Sequence, residues 1–149
     1  MMSCDRAVEL CVKAMECRHI SPFIVNNVLR CKNVDVSPVE RFLWDSDDMV
    51  RMFAVKVIGE KSKDLSVLIE VAKHEENKEI LVRILRYVSR QKESLQELAD
   101  LLHSEDRVLR EEAIQIFRKA HCAECLFPLL FEDDDRLVKQ IKRYIQEQG

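Results

Sequence analysis

The chain has 149 residues, 34% of them charged, with a net charge of −3. That length suits one domain with a sizeable core, and so even a charge balance argues against a general grip on nucleic acid. No apolar run nears the roughly 20 residues that span a bilayer, and the start lacks the basic-then-apolar plan of a secretory leader, so a soluble cytoplasmic protein is expected.

With two glycines and three prolines the chain is rich in helix formers, and an all-α fold is predicted. Capping residues place the helix starts. Ser21-Pro22 and Ser37-Pro38 each put serine before a proline at the first helical position, and Glu40 would complete a capping box with Ser37. Ser94 and Glu97 repeat that spacing. The first predicted pair of helices covers about Asp5–Arg18 and Ser21–Cys31, with Ile20, Ile24 and Val28 as its inward residues.

From residue 37 onward a repeat takes over. Four acidic turns each lead into the same amphipathic helix, anchored at Val50, Ile80, Leu109 and Leu137, which are 30, 29 and 28 residues apart. Each anchor is followed at offset 4 by Ala54, Ile84, Ala113 or Ile141. Offsets 7 and 8 hold Val57 and Ile58, Tyr87 and Val88, Ile116 and Phe117, or Tyr144 and Ile145. Offsets 0, 4, 7 and 8 share one side of a 3.6-residue helix. Asp47, Asn77, Ser104 and Asp134 stand just ahead, where a short oxygen-bearing side chain takes up open backbone N–H groups. Shorter first helices are expected near Pro38–Trp44, Asp64–His74, Leu95–His103 and Cys122–Phe131. The whole predicts a single domain, a right-handed α-solenoid of about five antiparallel helix pairs. Residues 1–36 form an atypical capping pair and residues 37–149 four clearer repeats.

The turn and helix that run through Leu43, Asp45, Asp47, Val50, Arg51, Ala54, Val57, Ile58 and Gly59 resemble a HEAT repeat, and the short period resembles the variety in phycobilisome-lyase-type HEAT proteins. The resemblance covers about residues 38–147. It implies a curved solenoid that binds other proteins. In that family a turn aspartate and an arginine after the anchor form a ladder between neighbouring repeats. This chain keeps Asp45, Arg51 and Arg110, but has Glu75, Ser104 and Glu132 in place of the aspartate and Leu81 and Val138 in place of the arginine. The ladder is therefore expected to be incomplete, with apolar contact carrying more of the inter-repeat packing.

Offsets 2, 5, 6 and 9 of the second helices are expected to face the concave side. Offset 5 is aliphatic three times running (Val55, Leu85 and Ile114); Met52 and Val82 widen this strip, and Lys56, Arg86 and Arg118 rim it with positive charge. Such a surface suits a peptide or helix of a partner protein. The competing reading is that these residues pack inside. Nucleic acid is disfavoured, because the aligned positions Lys56, Arg86, Gln115 and Arg143 are interrupted by Glu111 and Glu112.

Six cysteines occur (Cys4, Cys11, Cys17, Cys31, Cys122 and Cys125) and are expected to be reduced, mostly buried thiols, since the chain is neither short nor loop-rich. His121 with Cys122 and Cys125 falls short of the four ligands of a structural zinc. No cofactor is implied. His74-Glu75 resembles the iron-binding dipeptides of the HEAT-repeat hydroxylase that acts on deoxyhypusine, but it is single and sits in a turn. No nucleophile elbow, phosphate loop or catalytic carboxylate pair occurs. The expectation is a non-catalytic protein-interaction scaffold, with an accessory protein of lyase-like, cofactor-handling type as the alternative. The oligomeric state is left open.

Overall fold

A computed structural model describes residues 2–91, 107–119, 121 and 135–148, and all secondary structure among them is helical. The helices are α1 (Cys4–Glu16), α2 (Pro22–Leu29), a 3₁₀ helix (Ser37–Trp44), α3 (Asp48–Lys61), α4 (Ser66–Ala72), α5 (Lys78–Val88), α6 (Arg107–Lys119) and α7 (Asp135–Gln148). Among the described residues no helix is long and apolar enough to cross a membrane. The chain divides into two compact units, Met1–Arg83 and Ile84–Gly149, and the division falls within α5.

In the first unit, Ser3 caps α1 by accepting from the Arg6 N–H at 3.2 Å, and Ala7, Val8, Cys11 and Met15 form its buried face. Burial pushes the Cys11 thiol up to about 11, so it behaves as a small apolar group. The helix stops in a Schellman turn. The Arg18 N–H donates to the Met15 carbonyl (3.1 Å) and the His19 N–H to that of Ala14 (2.9 Å). Arg18 takes φ 58° there, a left-handed conformation that costs a non-glycine residue about 1–2 kcal/mol. Ser21 caps α2 as predicted, with Pro22 in its first turn. The inward residues of α2 are Val25 and Val28; Ile20 and Ile24, expected in the core, are only half-buried. Val28 is buried as expected, and Val25 rather than Ile24 is its buried neighbour one turn earlier.

α1 packs on α2 and on the 3₁₀ helix. Cys4, at the start of α1, lies against Cys31, two residues past the end of α2, with their Cα atoms 5.9 Å apart and the sulfurs bonded as a disulfide. This corrects the expectation of reduced thiols throughout. The pair is 27 residues apart in sequence, and only the packing of α1 against α2 brings it within bridging distance.

The capping box expected of Ser37 and Glu40 does not form. Ser37 is already inside the 3₁₀ helix, and its N–H donates to Asp35 Oδ1 at 3.0 Å, so a local aspartate turn has taken the role. Val39 and Phe42, three apart, share one face of this tighter helix and are buried together with Leu43. The acidic turn that follows does cap α3: Asp47 Oδ1 accepts from the N–H groups of Met49 (2.8 Å) and Val50 (3.4 Å). Asn77 does the same for α5, accepting from Glu79 (3.0 Å) and Ile80 (3.2 Å). α3 packs on the 3₁₀ helix, on α2 and on α4.

In the second unit α6 packs on α7, where the Tyr144 hydroxyl donates to the Arg118 carbonyl at 3.4 Å. The offset pattern is visible in burial. Val50, Ala54, Val57 and Ile58 are buried, as are Ile80, Ile84, Tyr87 and Val88, then Ala113, Ile116 and Phe117, and finally Ile141 and Tyr144. Ala113 is 1% exposed in a packed site. Ala113→Phe is expected to cost about 1–3 kcal/mol by overpacking, checked by thermal unfolding; an unchanged midpoint would overturn the register. The first helices near Leu95–His103 and Cys122–Phe131, the caps Ser94, Ser104 and Asp134, the cysteines Cys122 and Cys125, and the side chains of Leu109 and Leu137 lie outside the described residues.

Candidate functional site

The strip expected on the second helices is for the most part interior. Val55, Leu85 and Ile114 are 0%, 2% and 3% exposed, so offset 5 belongs to the core rather than to an open apolar surface. The physical reason is that α3, α5 and α6 each bury more than one side, as the neighbouring burial of Gly59 and Leu81 also shows. Met52, Val82 and Lys56 are half-buried, and Arg86 and Arg118 are exposed. Arg86 faces Glu112 at 3.5 Å, and the Arg118 guanidinium lies 5.3 Å from the Tyr144 ring centre. Arg90 similarly sits 5.7 Å from the ring of Tyr87. The arginine side chains are thus engaged by local partners.

The first unit instead presents a cleft of about 210 Å³ at the edge formed by its acidic turns, lined by Leu43, Trp44, Asp45, Arg51, Val71, His74, Glu75 and Glu76. Leu43 and Val71 are buried and make an apolar floor. Trp44 ends the 3₁₀ helix and leaves 52% of its surface in water. His74, just past α4, rests against it with ring centres 5.8 Å apart and planes tilted at 56°. Met49, in the first turn of α3, is also exposed at 59%.

Behind Trp44 lies a network of charges. Arg51 Nε and one terminal nitrogen donate to the two oxygens of Glu75, each at 3.1 Å, and its other terminal nitrogen donates to the Asp45 carbonyl at 2.8 Å. Arg51 also pairs with Asp48. The Glu75 side chain is 3% exposed and that of Arg51 16%, so this is a largely buried, bidentate pair. Glu75 Oε1 accepts from the Asn77 N–H too, and Asn77 Nδ2 donates to Asp48 at 2.9 Å. Those bonds, from Asn77 first and then Arg51, hold the Asp48 carboxyl below its usual range, while the hydrogen bond to Glu75 raises the already high pKa of Arg51. One turn earlier Arg18 reaches Ser46 Oγ (3.0 Å) and Asp45 (3.6 Å).

These contacts correct the expectation drawn from the substitution at position 75. Glutamate there does not interrupt the ladder at this step. Its longer side chain still meets Arg51, and the turns of residues 18, 45–51 and 75–77 are tied in succession. It also commits Glu75 to structure, leaving the His74-Glu75 pair no spare carboxylate for a metal.

No family model, curated protein or solved structure matches this chain. Trp44 was not singled out in the sequence. It closes the helix expected over Pro38–Trp44, and nothing in the spacing says that the indole turns outward there. The one available signal was its place as the chain's single tryptophan beside an acidic turn.

Proposed function

We propose that the chain is a HEAT-like α-solenoid that serves as a non-catalytic protein-binding module, and that its contact surface is the turn edge around Trp44. The observation that carries this reading is the half-exposed indole on the lip of a cleft; Met2, Phe23 and Met49 are the other exposed large apolar side chains among the described residues, and none of them lines that cleft. Trp is over-represented among the few residues that supply most of an interface's binding energy, and those residues fill pockets ringed by polar groups. The repeat of capped, acid-led helices and the Arg51–Glu75 tie support the solenoid reading. The buried offset-5 residues are its core, and binding moves from the second helices to the turns.

Wild type and Trp44→Ala, immobilised in parallel after their melting curves are shown to coincide, test this against extracts of the source cell. A retained protein is then purified and titrated against both forms. A loss of about thirtyfold in affinity for Trp44→Ala is expected, the factor that corresponds to about 2 kcal/mol for a central anchor. Equal affinity for the two forms would remove the turn edge from the binding surface.

A further inference from the structure

We infer that the Trp44 cleft takes an arginine side chain from a basic segment of the partner protein. This rests on the binding-module reading and names what the cleft recognises.

Four observations point to that occupant. The first is size: the space of about 210 Å³ falls below the roughly 300 Å³ at which small-molecule sites begin, and suits one long side chain better than a cofactor. The second is charge. Asp45, Glu75 and Glu76 line the cleft against a single cation, Arg51. Arg51 is already engaged by Glu75, Asp48 and the Asp45 carbonyl, Glu75 is consumed in return, and Asp45 faces Arg18. Glu76 is the carboxylate left over: it is exposed, and among the described residues no side chain pairs with it. The third is the indole, whose face attracts cations more strongly than any other side chain does. The fourth is the floor of Leu43 and Val71, apolar surface on which the methylene stem of a long cationic side chain can lie.

Arginine answers these features together. Its planar guanidinium stacks on an aromatic face and still presents a fork of N–H donors to a carboxylate at the edge, whereas the ammonium of lysine is a compact, strongly hydrated point charge. An acidic peptide or a nucleic-acid phosphate would meet the unpaired Glu76 carboxylate at the lip.

Trp44 is the only tryptophan, so its emission reports on the cleft directly. The probes are nona-arginine, nona-lysine and nona-glutamate peptides, titrated at about 0.15 M salt to screen long-range attraction. The expected result is a saturable change in emission with nona-arginine and none with nona-glutamate. Nona-lysine should bind about fivefold more weakly, and Glu76→Gln should weaken nona-arginine by a similar factor. Because Glu76 is a surface residue, its substitution leaves the fold intact.

Equal binding of the arginine and lysine peptides, with no effect of Glu76→Gln, would reduce the site to general electrostatic attraction and overturn the inference. An apolar occupant is indicated, and the inference equally overturned, if no basic peptide changes the emission. Should that silence accompany loss of the cellular partner in Trp44→Ala, the arginine falls while the binding module stands. Saturable, Glu76-dependent arginine binding, combined with a partner indifferent to Trp44, supports the cation site and removes the module reading of this edge.

Discussion

Leu85→Asp is expected to unfold most of the molecules, or to lower stability by more than about 4 kcal/mol, the range reserved for a charge placed in a core without a partner. Leu85 is 2% exposed on α5, between Ile84 (0%) and Tyr87 (7%), and no polar or charged residue is buried as a whole among the described residues. A domain of this size has a total stability of about 5–15 kcal/mol, so the loss is a large fraction of it. Urea unfolding followed by circular dichroism measures the effect. Leu85→Ala, which leaves a cavity, should cost about 2–5 kcal/mol, and Leu85→Met less than about 1.5 kcal/mol because volume is kept. That graded series distinguishes a core position from a surface one. If the aspartate variant melted like wild type, Leu85 would have to lie on an open face, and the second-helix strip would regain its place as a docking surface.

Arg51→Met is expected to cost about 3 kcal/mol, because it strips the partner from a carboxylate that is almost wholly out of water. The pair cannot be treated as a surface ion pair of a few tenths. Both oxygens of Glu75 are held by the guanidinium, and the same arginine supports the Asp45 carbonyl. Replacing both members, as Arg51→Met with Glu75→Met, should recover much of the loss, since an apolar pair of similar volume is often as stable as a buried ion pair. The double-mutant cycle, read from denaturant midpoints, gives the coupling directly. Additive losses from the two substitutions would show that the turns are joined by something other than this pair.

Much of the local structure is legible in the sequence. Apolar residues at offsets 0, 4, 7 and 8 from Val50 and Ile80 predict the buried faces of α3 and α5, because helical period ties spacing to side. Asp47 and Asn77 cap those helices through bonds that span two or three residues, and the residues concerned are adjacent in the chain. Where a cap had a nearby rival, as Asp35 was to Ser37, the prediction failed because both arrangements satisfy the same N–H and sequence does not rank them.

The candidate site was less legible. A helical wheel divides a helix into inside and outside once, but α3 and α5 are covered on more than one side, which sends Val55 and Leu85 inward from positions that the wheel assigns to solvent. The turn edge escaped notice for the complementary reason. Trp44, His74 and Glu76 are separated by as many as 32 residues, and their convergence depends on where the 3₁₀ helix stops and how α4 lies beside it. Arg51 and Glu75, though each was identified as a ladder position, needed the actual reach of a glutamate to be joined.

By itself, then, the sequence determined the helical character of the described residues, the period of about 30 residues, the caps of α2, α3 and α5 and the buried faces of α3 and α5, since all of these depend on contacts within a turn or two of helix. The tertiary structure decided the Cys4–Cys31 bond, the interior place of Val55, Leu85 and Ile114, the Arg51–Glu75 tie and the exposure of Trp44. Each of these depends on which surfaces of separate helices cover one another, and that covering is a property of the packed chain rather than of any one segment.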